Sequence, residues 1–303
     1  MRGLSRRFLE DLNSGLLAPI RDRVKADHSL CLEIREEKVN VYYRGGNLLR
    51  LMRNRHGYLA FFDKKYAQGE GPLSSSSLPA GQLLSDHEVN AWLGAIPELK
   101  NAMDLYFGNH PKEEREAQQL IVRDNNFGKT SRATDYYICD IEYANQQGRF
   151  DFVAVRWPSS GATRKRQSGH RLVLAEVKFG DGAVSGKAGL HSHINDINAF
   201  LGTSTNLQSL KDEMVLVFNQ KRALGLVNCG RALKGFSDEP PILLLVLVNH
   251  DPDSSKLRET LASLPPSPHA EMYVASGCFM GYGLFDQGVF RLDDALARFE
   301  TSI

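Results

Sequence analysis

The sequence predicts a protein of mixed α/β (α+β) class, in which helices flank a mixed central sheet. Two observations carry this prediction. Residues 111–250 alternate between helical and strand-like segments in the order α-β-β-β-α(α)-β, which is typical of a mixed sheet covered by helices. Residues 30–62 contain short strand-like runs joined by turn residues, which predicts a small antiparallel meander. The 303 residues are enough for one large domain or two smaller ones.

The N-terminal segment, residues 1–82, is predicted to be an accessory region of helix and meander. Apolar residues recur at helical spacing across 4–26, where Pro19 is typical of the first turn of a second helix. The four strand-like runs of 30–62 follow. The Gly- and Ser-rich stretch 69–81 is predicted to be a loop or linker.

The remaining residues, 83–303, are predicted to form a second domain with its core at about 111–250. Ser85 and Glu88 can form a capping box that starts a helix, and Pro97 predicts the start of the next one. The later segments are predicted as a helix from Pro111, strands at 135–144, 148–157 and 171–179, helices at 189–201 and 207–227, a strand at 241–249, a final helix at 254–264, and closing strands at 272–285 and 288–293.

The composition is that of an ordinary globular protein, with 42% hydrophobic residues. Lys and Arg number 37 against 36 Asp and Glu, so only local clusters could indicate a nucleic-acid partner. The four cysteines lack zinc-ligand spacing and fit a reducing compartment. The N-terminus has no signal-peptide core, and the longest apolar run is too short to span a bilayer. We therefore expect a soluble, cytoplasmic protein without a membrane partner.

Two predicted strands carry charged residues among apolar ones. Asp151 lies in RFDFVAV, and Glu176 and Lys178 lie in RLVLAEVKF. Side chains alternate between the faces of a strand, so Glu176 and Lys178 share a face. If the two strands pair as neighbours, Asp151 can meet them at one end of the sheet. Burying such charges is costly unless they are paired or bind a metal ion, so the pattern predicts a functional site.

An Asp at the start of one strand, followed by Glu-x-Lys in the next within this element order, resembles the PD-(D/E)xK nuclease superfamily. The matching residues are Asp151, Glu176 and Lys178, and the resemblance covers about residues 111–250. The proline that often precedes the first Asp is Phe150 here, and many members lack it. The resemblance implies a restriction-endonuclease-like fold and a hydrolase that cleaves phosphodiester bonds.

The resemblance also implies a cofactor and roles for individual residues. The cofactor would be Mg²⁺ or Mn²⁺, held by Asp151, Glu176 and the main-chain carbonyl of Val177, with Lys178 orienting the attacking water and stabilising charge on the phosphate. A further acid often comes from the helix before the first strand, where Glu116 is favoured over Glu113 and Glu114. The alternatives are Asp140 and Glu142, which share a face of the first strand.

Two basic stretches are candidates for contact with the substrate, which we expect to be DNA, with RNA left open. Residues 156–171 contain five Lys or Arg and no acid, and they join the two strands of the site. This predicts nucleic-acid contacts from Arg164, Lys165, Arg166 and Arg171 near the site. Residues 38–62 combine five Lys or Arg with aromatic residues and also lack acids, which suits nucleic-acid contact.

Other interpretations stay open on the sequence. The charged residues could form a structural ion pair, although one pair does not need two acids. The protein could be an inactive nucleic-acid-binding or scaffold protein that keeps the nuclease fold, or an unrelated hydrolase that uses Asp151 and Glu176 as acid and base. The N-terminal region leaves room for a homodimer or a protein partner. On the helix at 189–201, His191 and His193 should point apart, which favours exposed polar residues over a metal site.

Overall fold

The structure is a computed structural model that describes residues 1–67, 78–187, 189–251, 253–277 and 281–300. The chain forms two compact units. Unit 1 comprises Met1–Gln119 and Gln220–Val227, and unit 2 comprises Leu120–Asn219 and Asn228–Ile303. The fold is α+β, as predicted, with an antiparallel sheet in unit 1 and a mixed sheet in unit 2. No helix of the described residues is both long and apolar enough to cross a membrane.

Unit 1 is built on a five-stranded antiparallel sheet in the order β1-β2-β3-β4-β5. The predicted meander is therefore confirmed, with one short strand added after it. Most of the predicted linker, 69–81, lies outside the described residues. The elements are α1 (Arg6–Asn13), α2 (Ala18–Ala26), β1 (Leu30–Arg35), β2 (Lys38–Tyr43), β3 (Gly46–Arg53), β4 (Tyr58–Phe61), β5 (Gln82–Leu83), α3 (Asp86–Asn109) and α4 (Glu113–Asn126), of which α4 belongs to unit 1 up to Gln119.

Helix α3 starts at the predicted capping box, but it does not break at Pro97. The helix is 24 residues long and continues through this proline. The prediction that a second helix starts at Pro97 is therefore wrong. A proline in a helix interior costs about 3 kcal/mol. The helix continues because Leu99, Met103 and Phe107 beyond the proline are buried, and the apolar contacts of this face offset that cost.

The compact units divide at Gln119, not at the predicted boundary between residues 82 and 83. The side-chain amide of Gln119 donates to the carbonyl oxygens of Ser29 and Tyr42 and accepts from the backbone N–H of Gly45. These bonds attach the first part of α4 to the strands of unit 1. Sequence periodicity finds a helix but not the sheet against which it packs, and the domain boundary after residue 82 stays a prediction.

Unit 2 contains a six-stranded mixed sheet in the order β11-β10-β9-β8-β7-β6. The predicted α-β-β-β-α(α)-β order is present, and α9 is a helix that the sequence analysis missed. The elements are β6 (Tyr136–Ala144), β7 (Arg149–Arg156), α5 (Gly161–Lys165), β8 (Arg171–Phe179), α6 (Leu190–Leu201), α7 (Ser204–Ala223, of which Gln220 onwards belongs to unit 1), β9 (Ile242–Val248), α8 (Ser255–Ala262), β10 (Glu271–Gly277), β11 (Val289–Arg291) and α9 (Leu292–Glu300).

The central strands of this sheet are buried on both faces. Every residue of β9 is buried, as expected for its continuous apolar sequence. β7 pairs antiparallel with β8, and β8 pairs parallel with β9 and so continues the sheet on its other side. This arrangement places the start of β7 and the end of β8 at the same end of the sheet.

Candidate active site

Asp151 lies immediately beyond the last main-chain pair between β7 and β8, which joins Phe152 to Ala175. Its carboxylate continues the contact between the strands, because Oδ2 accepts a hydrogen bond of 2.8 Å from the backbone N–H of Val177. The side chain is therefore held across the end of β8, next to Glu176. The two strands pair as neighbours, which is the condition under which Asp151 can meet Glu176 and Lys178.

Glu176 and Lys178 occupy one face of β8, and their side chains are almost fully buried, at 2% and 4% exposure. The Lys178 ammonium lies 2.6 Å from Glu176 Oε1. In an antiparallel pair, directly opposite residues share a face, so the register that aligns Phe152 with Ala175 places Asp151 on this same face. The structure thus brings together the three charged residues that the sequence analysis singled out.

A histidine from α6 completes the cluster of side chains around Glu176. His193 Nε2 lies 3.3 Å from Glu176 Oε1, and its side chain keeps 27% of its surface exposed. The helix is anchored in the core of unit 2, where Phe200 packs edge-on against Phe150 of β7 with ring centroids 5.0 Å apart. His193 is therefore the residue of this cluster that reaches solvent.

The sequence pattern predicts His193 as an exposed polar residue outside the site. The two helix histidines point apart, as their spacing predicts, and His191 Nε2 lies 2.8 Å from the carbonyl oxygen of Ser263. The contact of His193 with Glu176 depends on how α6 packs on the sheet. No spacing in the sequence encodes that packing.

The electrostatics of the site oppose ionisation of Asp151. Burial raises the pKa of Asp151, and the hydrogen bond from Val177 and the positive charge of Lys178 offset this effect only in part. The buried carboxyl groups of Asp151 and Glu176 lie near Lys178, and His193 and Arg149 also act electrostatically on Asp151. Because the charged form of Asp151 is disfavoured by burial, a divalent cation beside it would stabilise the carboxylate.

Asp140 and Glu142 lie on β6, the strand that pairs with β7 on the side away from β8. Asp140 pairs with Val153, which places it on the same face as Asp151. Glu142 lies between the paired residues Ile141 and Tyr143, and it has a φ of 49° inside a strand. Non-glycine residues rarely adopt this conformation, and those that do cluster at functional sites.

Glu116, the favoured helix acid, lies in unit 1. Its Oε1 is 3.3 Å from Arg44 Nε, and Arg44 also forms a 2.9 Å ion pair with Asp104. The structure therefore shows Glu116 in an ion-pair network of unit 1. Its role in the site stays a prediction.

The basic segment 156–171 does not lie beside Asp151, and its predicted position was wrong. The segment connects the end of β7 to the start of β8, where Arg156 pairs with Arg171. Asp151 is at the opposite end of β7, five residues or about 17 Å away. In an antiparallel hairpin the connecting loop necessarily lies at the end opposite to the free ends of the strands.

Two of the four basic residues predicted to touch nucleic acid are engaged in internal contacts. The Arg164 guanidinium donates to the carbonyl oxygen of Thr134 and lies 4.7 Å from the ring centroid of Tyr137. Arg171 is buried and pairs with Glu271 at 3.1 Å. Lys165 and Arg166 are exposed. Arg164 and Arg171 thus make structural contacts at that end of the sheet, and contact of the segment with nucleic acid stays a prediction.

The donor set at Asp151 and Glu176 suits a small divalent cation. Within the described ranges, no three or more His, Cys, Asp or Glu side chains form a group that could hold a metal ion. The site instead offers two carboxylates, and the carbonyl of Val177 is a third candidate ligand. Mg²⁺ binds through one or two carboxylates and keeps several water molecules, so these residues fit it.

Comparison of the chain with known protein families, with curated proteins and with solved structures found no match. The functional interpretation therefore depends on the geometry of the residues themselves.

Proposed function

We propose that the protein is a metal-dependent nuclease of the PD-(D/E)xK type that hydrolyses phosphodiester bonds, with DNA as the expected substrate and RNA as the alternative. The observation that carries this proposal is the position of Asp151 past the end of the strand ladder, bonded to Val177 N–H and on the same face as the Glu176–Lys178 pair. A structural ion pair would need only Glu176 and Lys178. The additional buried carboxylate is explained by metal binding.

In this proposal Asp151, Glu176 and the Val177 carbonyl hold Mg²⁺ or Mn²⁺. Such an ion activates water and relieves charge on the phosphate when it is bound. The Lys178 ammonium, fixed 2.6 Å from Glu176, supplies a positive charge for the attacking water and the phosphate oxygens. His193, the partly exposed member, would face the incoming substrate.

The first prediction is that cleavage of DNA requires Mg²⁺ or Mn²⁺ and is lost in excess EDTA. Asp151→Asn should lose metal binding measured by calorimetry. Lys178→Ala should keep metal binding and its fold, but turnover should fall by about 10²-fold or more, the scale of a lost electrostatic or general-base contribution. Asp212→Asn is the matched control, because this acid is exposed on α7 and the change should leave metal binding and turnover unchanged.

Undiminished cleavage in excess EDTA would rule out the metal mechanism and favour the hydrolase that uses the two acids directly. Binding of nucleic acid without cleavage under any metal condition would instead favour the inactive scaffold. If Lys178→Ala cleaves at the parent rate, the proposed role of the lysine is wrong.

A further inference from the structure

The outward face of the sheet in unit 1 carries an exposed patch that the nuclease proposal does not use. The register aligns Lys38 with Met52, Met52 with Leu59, Arg50 with Phe61, and Leu59 with Gln82. Directly opposite residues of an antiparallel sheet share a face, so these residues form one continuous surface. We call this surface the open face, and it consists of Lys38, Arg50, Met52, Leu59, Phe61 and Gln82.

The open face presents an aromatic ring to solvent. Phe61 is 45% exposed and Leu59 is 36% exposed, and both belong to the small set of large apolar residues on the described surface. The guanidinium of Arg50 lies 5.7 Å from the ring centroid of Phe61. On the opposite face of the same strands, Leu51 and Ala60 are buried. The exposure is therefore specific to one face.

The neighbouring part of the same face is not open. Glu33 and Asn40 lie on it through the pairing of β1, β2 and β3, and both are buried. Lys221 covers Glu33 with an ion pair of 2.8 Å. Unit 1 thus covers this face at Glu33 and Asn40 and leaves it exposed at Lys38, Leu59 and Phe61.

The charge of the open face complements a polyanion. Residues 38–62 contain five Lys or Arg and no acid. Arg44 forms ion pairs with Asp104 and Glu116. The nearby acid Asp63 forms an ion pair of 2.9 Å with Lys65. The positive charges of Lys38 and Arg50 lie on the same surface as the exposed ring, and Arg50 also interacts electrostatically with Asp63.

We propose that the open face binds single-stranded nucleic acid, with a base stacked on Phe61 and phosphates contacted by Arg50 and Lys38. An exposed ring next to a cation fits an unpaired base, since base–aromatic stacking needs a base face that a duplex keeps inside its stack. The site lies wholly in unit 1 and does not depend on the nuclease activity of unit 2.

The test measures binding of a fluorescently labelled oligothymidylate by anisotropy, with the full chain carrying Asp151→Asn in EDTA so that no cleavage occurs. Phe61→Ala should weaken binding by at least about five-fold, the low end of one lost base stack. Phe61→Trp should retain binding because it preserves the ring. Leu105→Ala is the control, since Leu105 is 53% exposed on α3 and does not belong to the sheet, and the change should have no effect.

Three outcomes would overturn this proposal: an affinity that Phe61→Ala leaves unchanged, equal loss from Phe61→Ala and Leu105→Ala, or capture of a protein partner through Phe61 without any binding of the oligonucleotide. A blunt duplex should bind more weakly than the single strand, and Phe61→Ala should affect it little. Thermal unfolding of each variant checks that the fold is intact. Because the assay contains no metal, a failure of the nuclease proposal would not alter these results.

Discussion

Asp151 is a buried carboxyl group whose charge the surrounding residues offset only in part. Burial raises the pKa of Asp151 in the folded state, so folding favours the protonated form of this carboxyl group. The contribution of protonated Asp151 to the stability of the folded state is fully present below the pKa of the unfolded state, near 3.9. It is lost as the pH rises through the pKa of the folded state. At neutral pH the ionised carboxylate therefore lowers the stability of the metal-free protein.

Replacing Asp151 by Asn should consequently raise the melting temperature of the metal-free protein at pH 7. The amide oxygen can still accept the hydrogen bond from Val177, while the buried charge is removed. Addition of Mn²⁺ should stabilise the parent and leave the variant unchanged, because a ligand stabilises only the state that binds it. Calorimetric melting with and without Mn²⁺ measures both effects.

Below pH 4 the parent and the variant should converge, since the parent carboxyl group is then protonated. A variant that melts lower than the parent at pH 7 in EDTA would indicate that Asp151 is a structural residue. Glu259→Gln, which removes a carboxylate at the exposed end of α8, is a control expected to change neither profile.

At the residue scale, the alternation of side chains was enough to find Asp151, Glu176 and Lys178, because period 2 fixes which residues of a strand share a face. His193 could not be found in this way, since its contact depends on the packing of a helix on the sheet. The φ of 49° at Glu142 could not be found either, because no glycine or turn signal marks it.

Helix α3 shows how tertiary packing overrides a local signal at the scale of an element. Pro97 predicted a break, but the apolar positions on both sides of it follow one continuous stripe that is buried in unit 1. Connectivity was equally decisive for the hairpin of β7 and β8. The antiparallel pairing of these two strands fixes the loop 156–171 at the end away from Asp151.

A continuous α3 predicts opposite effects for the same substitution at two glycines. Gly94 is interior to the helix and has open space where a Cβ would lie, so Gly94→Ala should stabilise the protein by about 0.5–1 kcal/mol. At Gly46 of β3 a Cβ would lie 2.6 Å from atoms of both Met103 and Phe107. Gly46→Ala should therefore destabilise by about 1–3 kcal/mol.

Urea unfolding of both variants measures these differences in the free energy of unfolding. If Gly94→Ala destabilised the protein instead, residue 94 would not lie in the interior of a helix. A neutral Gly46→Ala would mean that α3 does not pack closely on β3.

At the scale of the whole molecule, charge is balanced in number but not in distribution. The net formal charge is +1, so any affinity for nucleic acid must come from local clusters. Composition could exclude a globally basic protein, but it could not choose between the two basic stretches. The choice depends on which side chains the fold leaves exposed. Arg164 and Arg171 are engaged by the protein, whereas Arg50 lies beside an exposed ring.

The salt dependence of binding should therefore follow the open face. Each phosphate contact on a single strand contributes about −0.7 to the slope of log affinity against log salt concentration. Replacing Lys38 and Arg50 together by Gln should flatten this slope by about 1.4 units. The matched control replaces Lys165 and Arg166 by Gln. These residues are exposed, and the change also removes two positive charges, but the slope should stay unchanged. Anisotropy titrations of the oligothymidylate at several salt concentrations measure both slopes. A flatter slope only for the Lys165 and Arg166 variant would transfer the binding surface to the 156–171 segment.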